Sequence, residues 1–310
     1  MPAPDYHLAI GSSSHGAQTG RMLEKIEEVL LQESPDWVLV YGDTNSTLAG
    51  AIAAVKLHIK VAHVEAGLRS FNRKMPEEIN CVLTDHTANL LFAPTNSAVE
   101  NLRNEGIAQE KIHLVGDVMY DAALDYLTKA EEKSLILQDL NLTSQNYILA
   151  TIHRAENTDN SKRLQNIFIA LVEVSKKITV VLPLHPRTRA ALLREGILDI
   201  VSNSLCLINP VGYLDMVMLE KNAKLITTDS GGVQKEAFFY RVPCVTLRDE
   251  TEWIELVQLR WNRLLPPLDT NQITAGILAA YVNTSKTQIP PNLYGGGMAT
   301  TQIIKIITES

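Results

Sequence analysis

A chain of 310 residues exceeds what one hydrophobic core usually supports, so two domains are the starting expectation. Its 28 basic and 35 acidic residues leave a net charge of −7, with no basic footprint for nucleic acid or anionic lipid, and neither nucleic acid nor membrane is an expected partner. With 45% hydrophobic and 20% charged residues, Cys81, Cys206 and Cys244 in apolar runs, no leader-like start and no apolar stretch near the ~18 residues of a membrane span, the chain reads as a folded, soluble, cytoplasmic protein.

In chain order, short Val/Ile/Leu-rich runs alternate with amphipathic stretches of helical length, which predicts βαβ units and parallel sheets. The opening residues 6–10 are a candidate edge strand. A helix is predicted over 19–31, where Met22, Ile26, Val29 and Leu30 share a face, and strands over 37–41, 60–64, 90–93 and 112–115. Helices over 47–57, 77–88 and 97–104 separate those strands. In the second half the predicted strands are 147–152, 179–182, 205–208, 225–228 and 243–247, with helices at 163–175, 214–220 and 233–240. The polar segment 130–146 sets the expected boundary between an N-terminal domain, 1–129, and a C-terminal domain, 130–310, whose last helix packs back on the first. The fold class is α/β, two Rossmann-like doubly wound domains facing a cleft, the position where open α/β sheets bind ligands. Four clear strands in the first half are fewer than such a sheet usually has, which reads as an N-terminally truncated first domain.

Chemistry-bearing residues fall at the carboxyl ends of the predicted strands. Asp43 follows 37–41 and Glu65 follows 60–64; the structural alternatives are an N-cap by Asp43 or Ser46, and a Glu65–Arg69 surface ion pair. Pro76 opens a helix bearing Glu77 and Glu78, of which at most one enters the cleft, since neighbours face different ways. His153 and Arg154 follow 147–152 and suit an anionic substrate, with a capping and salt-bridging loop as the alternative; His185 and Arg187 read as a solvated loop. Ser230, Gly231 and Gly232 open a helix bearing Glu236, a pattern that lets backbone N–H groups approach a phosphate and that also makes an ordinary tight turn. No Walker lysine or full GxGxxG accompanies it, and the eight histidines lack metal-ligand spacing, so no metal and no cofactor are expected.

Together, "YGDTNSTLAG", "HVEAGLRSFNRKMPEEIN", "TIHRAENT", "PLHPRT", "TTDSGGVQKEA" and "LYGGGMA" resemble the non-hydrolysing UDP-N-acetylglucosamine 2-epimerase family. The resemblance implies a GT-B-like pair of domains, a UDP-sugar substrate, a homodimer, and inversion at C2 through elimination of UDP to a glycal and its re-addition, in the supply of surface polysaccharide precursors. It implies Asp43, Glu65, Glu77 and His153 as catalytic, Ser230, Gly231 and Gly232 as the diphosphate cradle, Glu236 at the ribose, and Val211 and Met216 at the uracil. The family's opening strand with its Gly-x-Arg-Pro loop has no counterpart ahead of the first motif, and Trp253 stands where many members have an arginine, with one phosphate contact expected lost. "SFNRKMPEEIN" and "TEWIEL" resemble the subgroup with UDP-2,3-diacetamido-2,3-dideoxyglucuronate epimerases. A GT-B glycosyltransferase, a catalytically inactive UDP-sugar-binding protein and a hydrolysing epimerase are the alternatives.

Overall fold

A computed structural model describes residues 3–11, 13–283 and 292–310. The chain forms two compact units, Met1–Asp121 with Asn292–Ser310, and Ala122–Pro291. The first carries α1 (His15–Glu33), β1 (Trp37–Tyr41), α2 (Asn45–Lys56), β2 (Lys60–Val64), α3 (Pro76–Thr87), β3 (Leu90–Ala93), α4 (Asn96–Asn104), β4 (Ile112–Leu114) and the start of α5 (Val118–Lys133). The second carries α6 (Ile136–Asp139), β5 (Tyr147–Thr151), α7 (Ala155–Thr158), α8 (Ser161–Ser175), β6 (Thr179–Pro183), α9 (Pro186–Arg194), α10 (Leu198–Ser204), β7 (Cys206–Ile208), α11 (Tyr213–Asn222), β8 (Leu225–Thr228), α12 (Gly231–Phe239), β9 (Cys244–Thr246), α13 (Ile254–Gln258), β10 (Asn262–Leu264) and α14 (Thr270–Val282). A final helix, α15 (Ala299–Glu309), belongs to the first unit.

Both sheets are parallel, as the Val/Ile-rich runs imply. The first has the order β1-β2-β3-β4, and its register runs from Trp37 opposite Lys60 to Tyr41 opposite Val64, so residues 42 and 65 leave the sheet side by side. The second has the order β10-β9-β8-β5-β6-β7. Its chain runs outward from β5 to β7, then returns to the other flank of β5 at β8. The strand order therefore reverses between β5 and β8, and a crevice opens outside their carboxyl ends. Thr151 pairs with Thr228, which brings residues 153–154 beside 229–231.

Burial follows periodicity. Leu164, Ile167, Phe168, Leu171 and Val174 recur at helical spacing along α8 and are fully buried against one face of the second sheet. Tyr147, Leu149, Leu219 and Ala237 cover the opposite face, and all of β5 is buried. In the first unit Ile303 of α15 packs with Ala62, Val64 and Phe92. Gly116, at φ +90°, lets that tail approach: a Cβ there would meet Tyr294 O at 2.6 Å and Gly295 Cα at 2.8 Å.

Three details depart from the sequence reading. Residues 6–10 form no strand; Ala9 sits in the left-handed region at φ 52°, which interrupts extension. The units divide inside α5, at 121/122, and segment 130–146 is the end of that helix followed by α6 and a turn, with Ile136, Leu137, Leu140 and Leu142 packed on the second core. Several elements, among them α5, α9, α14 and the three-residue strand β10, lie outside the predicted set.

Candidate active site

In the first unit β1 and β2 end in two left-handed residues. Gly42 has φ +66° and Glu65 has φ 69°, the latter a conformation that costs a non-glycine residue of order 1 kcal/mol or more and tends to mark functional positions. Gly42 N–H donates to Val64 O at 3.1 Å, and Glu65 Oε2 lies 3.5 Å from the place a Cβ on Gly42 would occupy. The Glu65 carboxylate thus lies against the residue preceding Asp43. Asp43 is exposed, and Thr44 instead of Asp43 holds the N-cap position of α2, with no side-chain cap bond of its own.

On α3, Glu77 and Asn80 are one turn apart and share a face. Asn80 Nδ2 donates to Asp43 O at 3.0 Å and to Asn45 Oδ1 at 3.1 Å, so the face bearing Glu77 is turned to the end of β1. Glu77 is exposed, whereas Glu78 is buried and accepts from Ser70 N–H at 2.7 Å and Ser70 Oγ–H at 2.9 Å. Glu78 therefore ties down a loop, and Asp43, Glu65 and Glu77 are brought to one end of the sheet. Arg69, the alternative partner of Glu65, is buried and pairs with Asp85 and Glu105, each at 2.7 Å.

In the second unit the strand-order reversal brings the two remaining motifs together. Asp229 is fully buried and accepts from His153 N–H at 3.0 Å, Arg154 N–H at 3.1 Å and Asn157 Nδ2 at 3.0 Å. One carboxylate thereby locks the turn after β5 to the turn after β8. The His153 ring packs 5.5 Å from that of His185. Burial lowers its proton affinity; Asp229 opposes this, and His185, Arg154 and Arg187 reinforce it, so the ring is neutral at pH 7. His185, read from sequence as loop, caps α9 by accepting from Arg187 N–H at 3.1 Å and belongs to the same crevice.

The N-terminus of α12 has no side-chain cap, which leaves its first N–H groups and the positive end of the helix available to an anion. A Cβ on Gly231 would meet Glu252 Oε1 at 2.4 Å and Arg154 Nη2 at 3.5 Å, so glycine is what lets this turn close on its neighbours. Trp253 donates from Nε1 to Gly231 O at 3.1 Å, and Lys235 Nζ lies 4.4 Å from the centroid of its ring. Glu236 accepts from Tyr213 OH at 3.0 Å and faces Glu220. Val211 and Met216 are half-buried against the core cluster that includes Leu219 and Ala237.

Sequence reasoning did not single out Asp229, Asn80 or Glu220 for these roles. Asp229 and Asn80 stand inside quoted motifs, and Glu220 interrupts the apolar face that Val217 begins, one turn earlier on α11. Among the described residues no group of three or more His, Cys, Asp or Glu side chains is disposed to hold a metal ion, and no helix is long and apolar enough to cross a membrane.

The family model described as UDP-N-acetylglucosamine 2-epimerase matches residues 1–308. A Methanococcus maripaludis protein described as a UDP-N-acetylglucosamine 2-epimerase homolog is 60% identical over 268 residues, 86% of this chain and 74% of that protein. The UDP-2,3-diacetamido-2,3-dideoxy-D-glucuronate 2-epimerase of Pseudomonas aeruginosa, of the subgroup the motif variants resemble, is 50% identical over 314 residues, 100% of this chain and 85% of that protein. The crystal structure of Methanocaldococcus jannaschii UDP-GlcNAc 2-epimerase in complex with UDP-GlcNAc and UDP superposes with a TM-score of 0.89 at 46% identity, covering 100% of this chain and 86% of that one. With a family model spanning nearly its whole length and relatives of this likeness, the chain belongs to the UDP-N-acetylglucosamine 2-epimerase family.

Proposed function

We propose that the chain inverts C2 of a UDP-linked 2-acetamido sugar of the UDP-N-acetylglucosamine type by eliminating UDP and adding it back. The observation that carries the reading is the convergence of Asp43, Glu65 and Glu77 at one end of the first sheet, in a chain whose relatives bear the epimerase name. In the first step a carboxylate takes the C2 proton, the C2–H electron pair becomes the C1=C2 bond, and the C1–O bond breaks with its pair leaving on UDP. In the second, the β-phosphate oxygen adds to C1 and C2 receives a proton on the opposite face. Atoms and electrons balance with no redox partner.

The acids of the first unit divide the work of base at C2 and of stabilising positive charge at C1. In the second, Ser230, Gly231 and Gly232 with Arg154 receive the diphosphate, whose charge grows as it leaves, and neutral His153 can donate a hydrogen bond to the departing oxygen. Glu236 takes the ribose hydroxyls, and Val211 and Met216 the uracil. The three free cysteines support a cytoplasmic setting, and the homodimer rests on the family resemblance.

Turnover of UDP-N-acetylglucosamine in D₂O, followed by NMR, is expected to place deuterium at C2 of the epimer, with UDP and a glycal accumulating slowly. An epimer without deuterium, or a sugar transferred to an acceptor, overturns the reading. The cradle has its own test. In Gly231→Ala the new methyl displaces Glu252, which Arg248 holds at 2.8 Å, and UDP affinity by calorimetry should fall about tenfold, roughly 1.4 kcal/mol. Unchanged affinity removes Gly231 from the anion site.

A further inference from the structure

Beneath the ends of β1 and β2 lies a titratable group that the proposed chemistry does not use. His63, the fourth residue of β2, is fully buried. Its Nδ1 is 2.7 Å from Asp85 Oδ1 and its Nε2 is 2.7 Å from the carbonyl oxygen of Gly42. A neutral imidazole donates from one nitrogen only, and a carbonyl only accepts. Asp85 is held as an acceptor too, because its Oδ2 takes Arg69 Nη2 at 2.7 Å and Gly67 N–H at 3.0 Å. Two acceptors facing one ring require two donors.

We propose that His63 is kept as a buried imidazolium and acts as a positioning residue for Asp43 and Glu65, by fixing the Gly42 carbonyl between them. The assignment of those two acids rests on the proposed function; the protonation of His63 does not. Gly42 is pinned twice, its N–H on Val64 O and its carbonyl on His63 Nε2–H, and the next carbonyl, that of Asp43, is held by Asn80. Both peptides flanking the Asp43 Cα are therefore fixed, one by an ionic donor, and the same Gly42 is what the Glu65 carboxylate lies against.

The surrounding charges suit an imidazolium. His63 and Arg69 are balanced by Asp85 and Glu105, with His86 3.5 Å from Glu105 on the outer side and the Cys81 thiol beside Asp85 and Arg69. Burial pushes the Asp85 carboxyl up, but the hydrogen bond and charge of His63 and the guanidinium of Arg69 outweigh it and hold Asp85 below the usual carboxylate range. Burial raises the Cys81 thiol well above its ordinary value, helped by the charges of Asp85, Asp43 and Glu78 and opposed by Arg69, so it stays neutral and leaves the charge balance untouched.

Nitrogen-15 NMR of the full chain labelled at histidine tests the first part. Both His63 nitrogens should show an attached proton, as the two acceptors that face them require. A single-proton ring overturns the imidazolium, whether or not the chain turns over a UDP-sugar. For the second part, the amide of His63→Gln can donate to Gly42 O only by turning its oxygen on Asp85. We expect kcat to fall roughly tenfold to a hundredfold, the scale of sub-ångström misplacement, with KM and UDP affinity within about threefold. In the double variant His63→Gln/Asp85→Asn the new amide can donate to that oxygen, and kcat should recover above that of either single variant. Unchanged kcat in a folded His63→Gln, or additive losses in the double variant, overturns the positioning role.

Discussion

Glu65→Gln is expected to lower kcat by ~10²- to 10⁴-fold with little change in UDP affinity, the range for removing a general acid or base. The substitution keeps shape and one acceptor oxygen while deleting the charge and the basicity. Glu65 occupies a left-handed conformation, and its carboxylate lies against Gly42 instead of pairing with Arg69, which Asp85 and Glu105 engage. Strain of that kind persists where the fold over-determines the residue, which favours a chemical role over a stabilising one. Asp43→Asn and Glu77→Gln should show losses of the same order. His153→Asn should too, with the smaller change in the acid limb of the pH profile that removal of a group already neutral at pH 7 implies. Glu78→Gln is the control, because the amide oxygen can still accept from Ser70, and kcat should stay within about threefold. Steady-state kinetics with circular dichroism on each variant checks the set; full activity in folded Glu65→Gln removes it from the chemistry.

The parts of this architecture that were legible in the sequence are those that announce themselves locally. The strands from Lys60, Leu90 and Leu225 are apolar-rich runs largely buried on both faces, the strand from Trp37 is an apolar run at the sheet edge with Leu39 and Tyr41 exposed, and the acids or small residues that follow all four could be placed at carboxyl ends without coordinates. What stayed hidden depends on which strands become neighbours. That His153 and the Ser230 turn share one crevice follows from β8 returning beside β5, and only then does Asp229 become the carboxylate that joins them. The resemblance pointed to Glu77 over Glu78, but a physical distinction between them needed the direction of α3, seen in Asn80 reaching Asp43 on one side and Glu78 reaching Ser70 on the other. Strand β10 was missed because three residues with a central arginine carry no pattern, and α5 because its polar last turn reads as a linker.

Glu220→Gln is expected to stabilise the second unit increasingly as pH rises. Glu220 is fully buried and no donor among the described residues reaches either of its carboxyl oxygens; the carboxyl of Glu236 faces it, and two carboxyls can bond only by sharing a proton. Burial first, then the charge of Glu236 and its hydrogen bond, push the Glu220 carboxyl well above its ordinary value. Glu236 is also raised by burial, against the opposing effects of Tyr213, Lys235 and Glu220. A carboxyl whose proton affinity is higher in the folded than in the unfolded chain gives stability that is complete below the unfolded pKa of about 4.3 and is lost as pH climbs toward the folded value, at up to ~1.4 kcal/mol per pH unit. Glutamine has no proton to lose, and its amide can still donate to Glu236. Urea unfolding followed by the fluorescence of Trp253 and Trp261 at pH 5, 6, 7 and 8 should therefore show the variant pulling ahead of the parent with each step. Parallel pH dependence in the two proteins would mean that Glu220 titrates alike in the folded and unfolded chain. UDP affinity at pH 7 should match the parent within about twofold, since the Glu236 carboxylate, proposed to receive the ribose, keeps its donor from Tyr213 at 3.0 Å and gains one from residue 220.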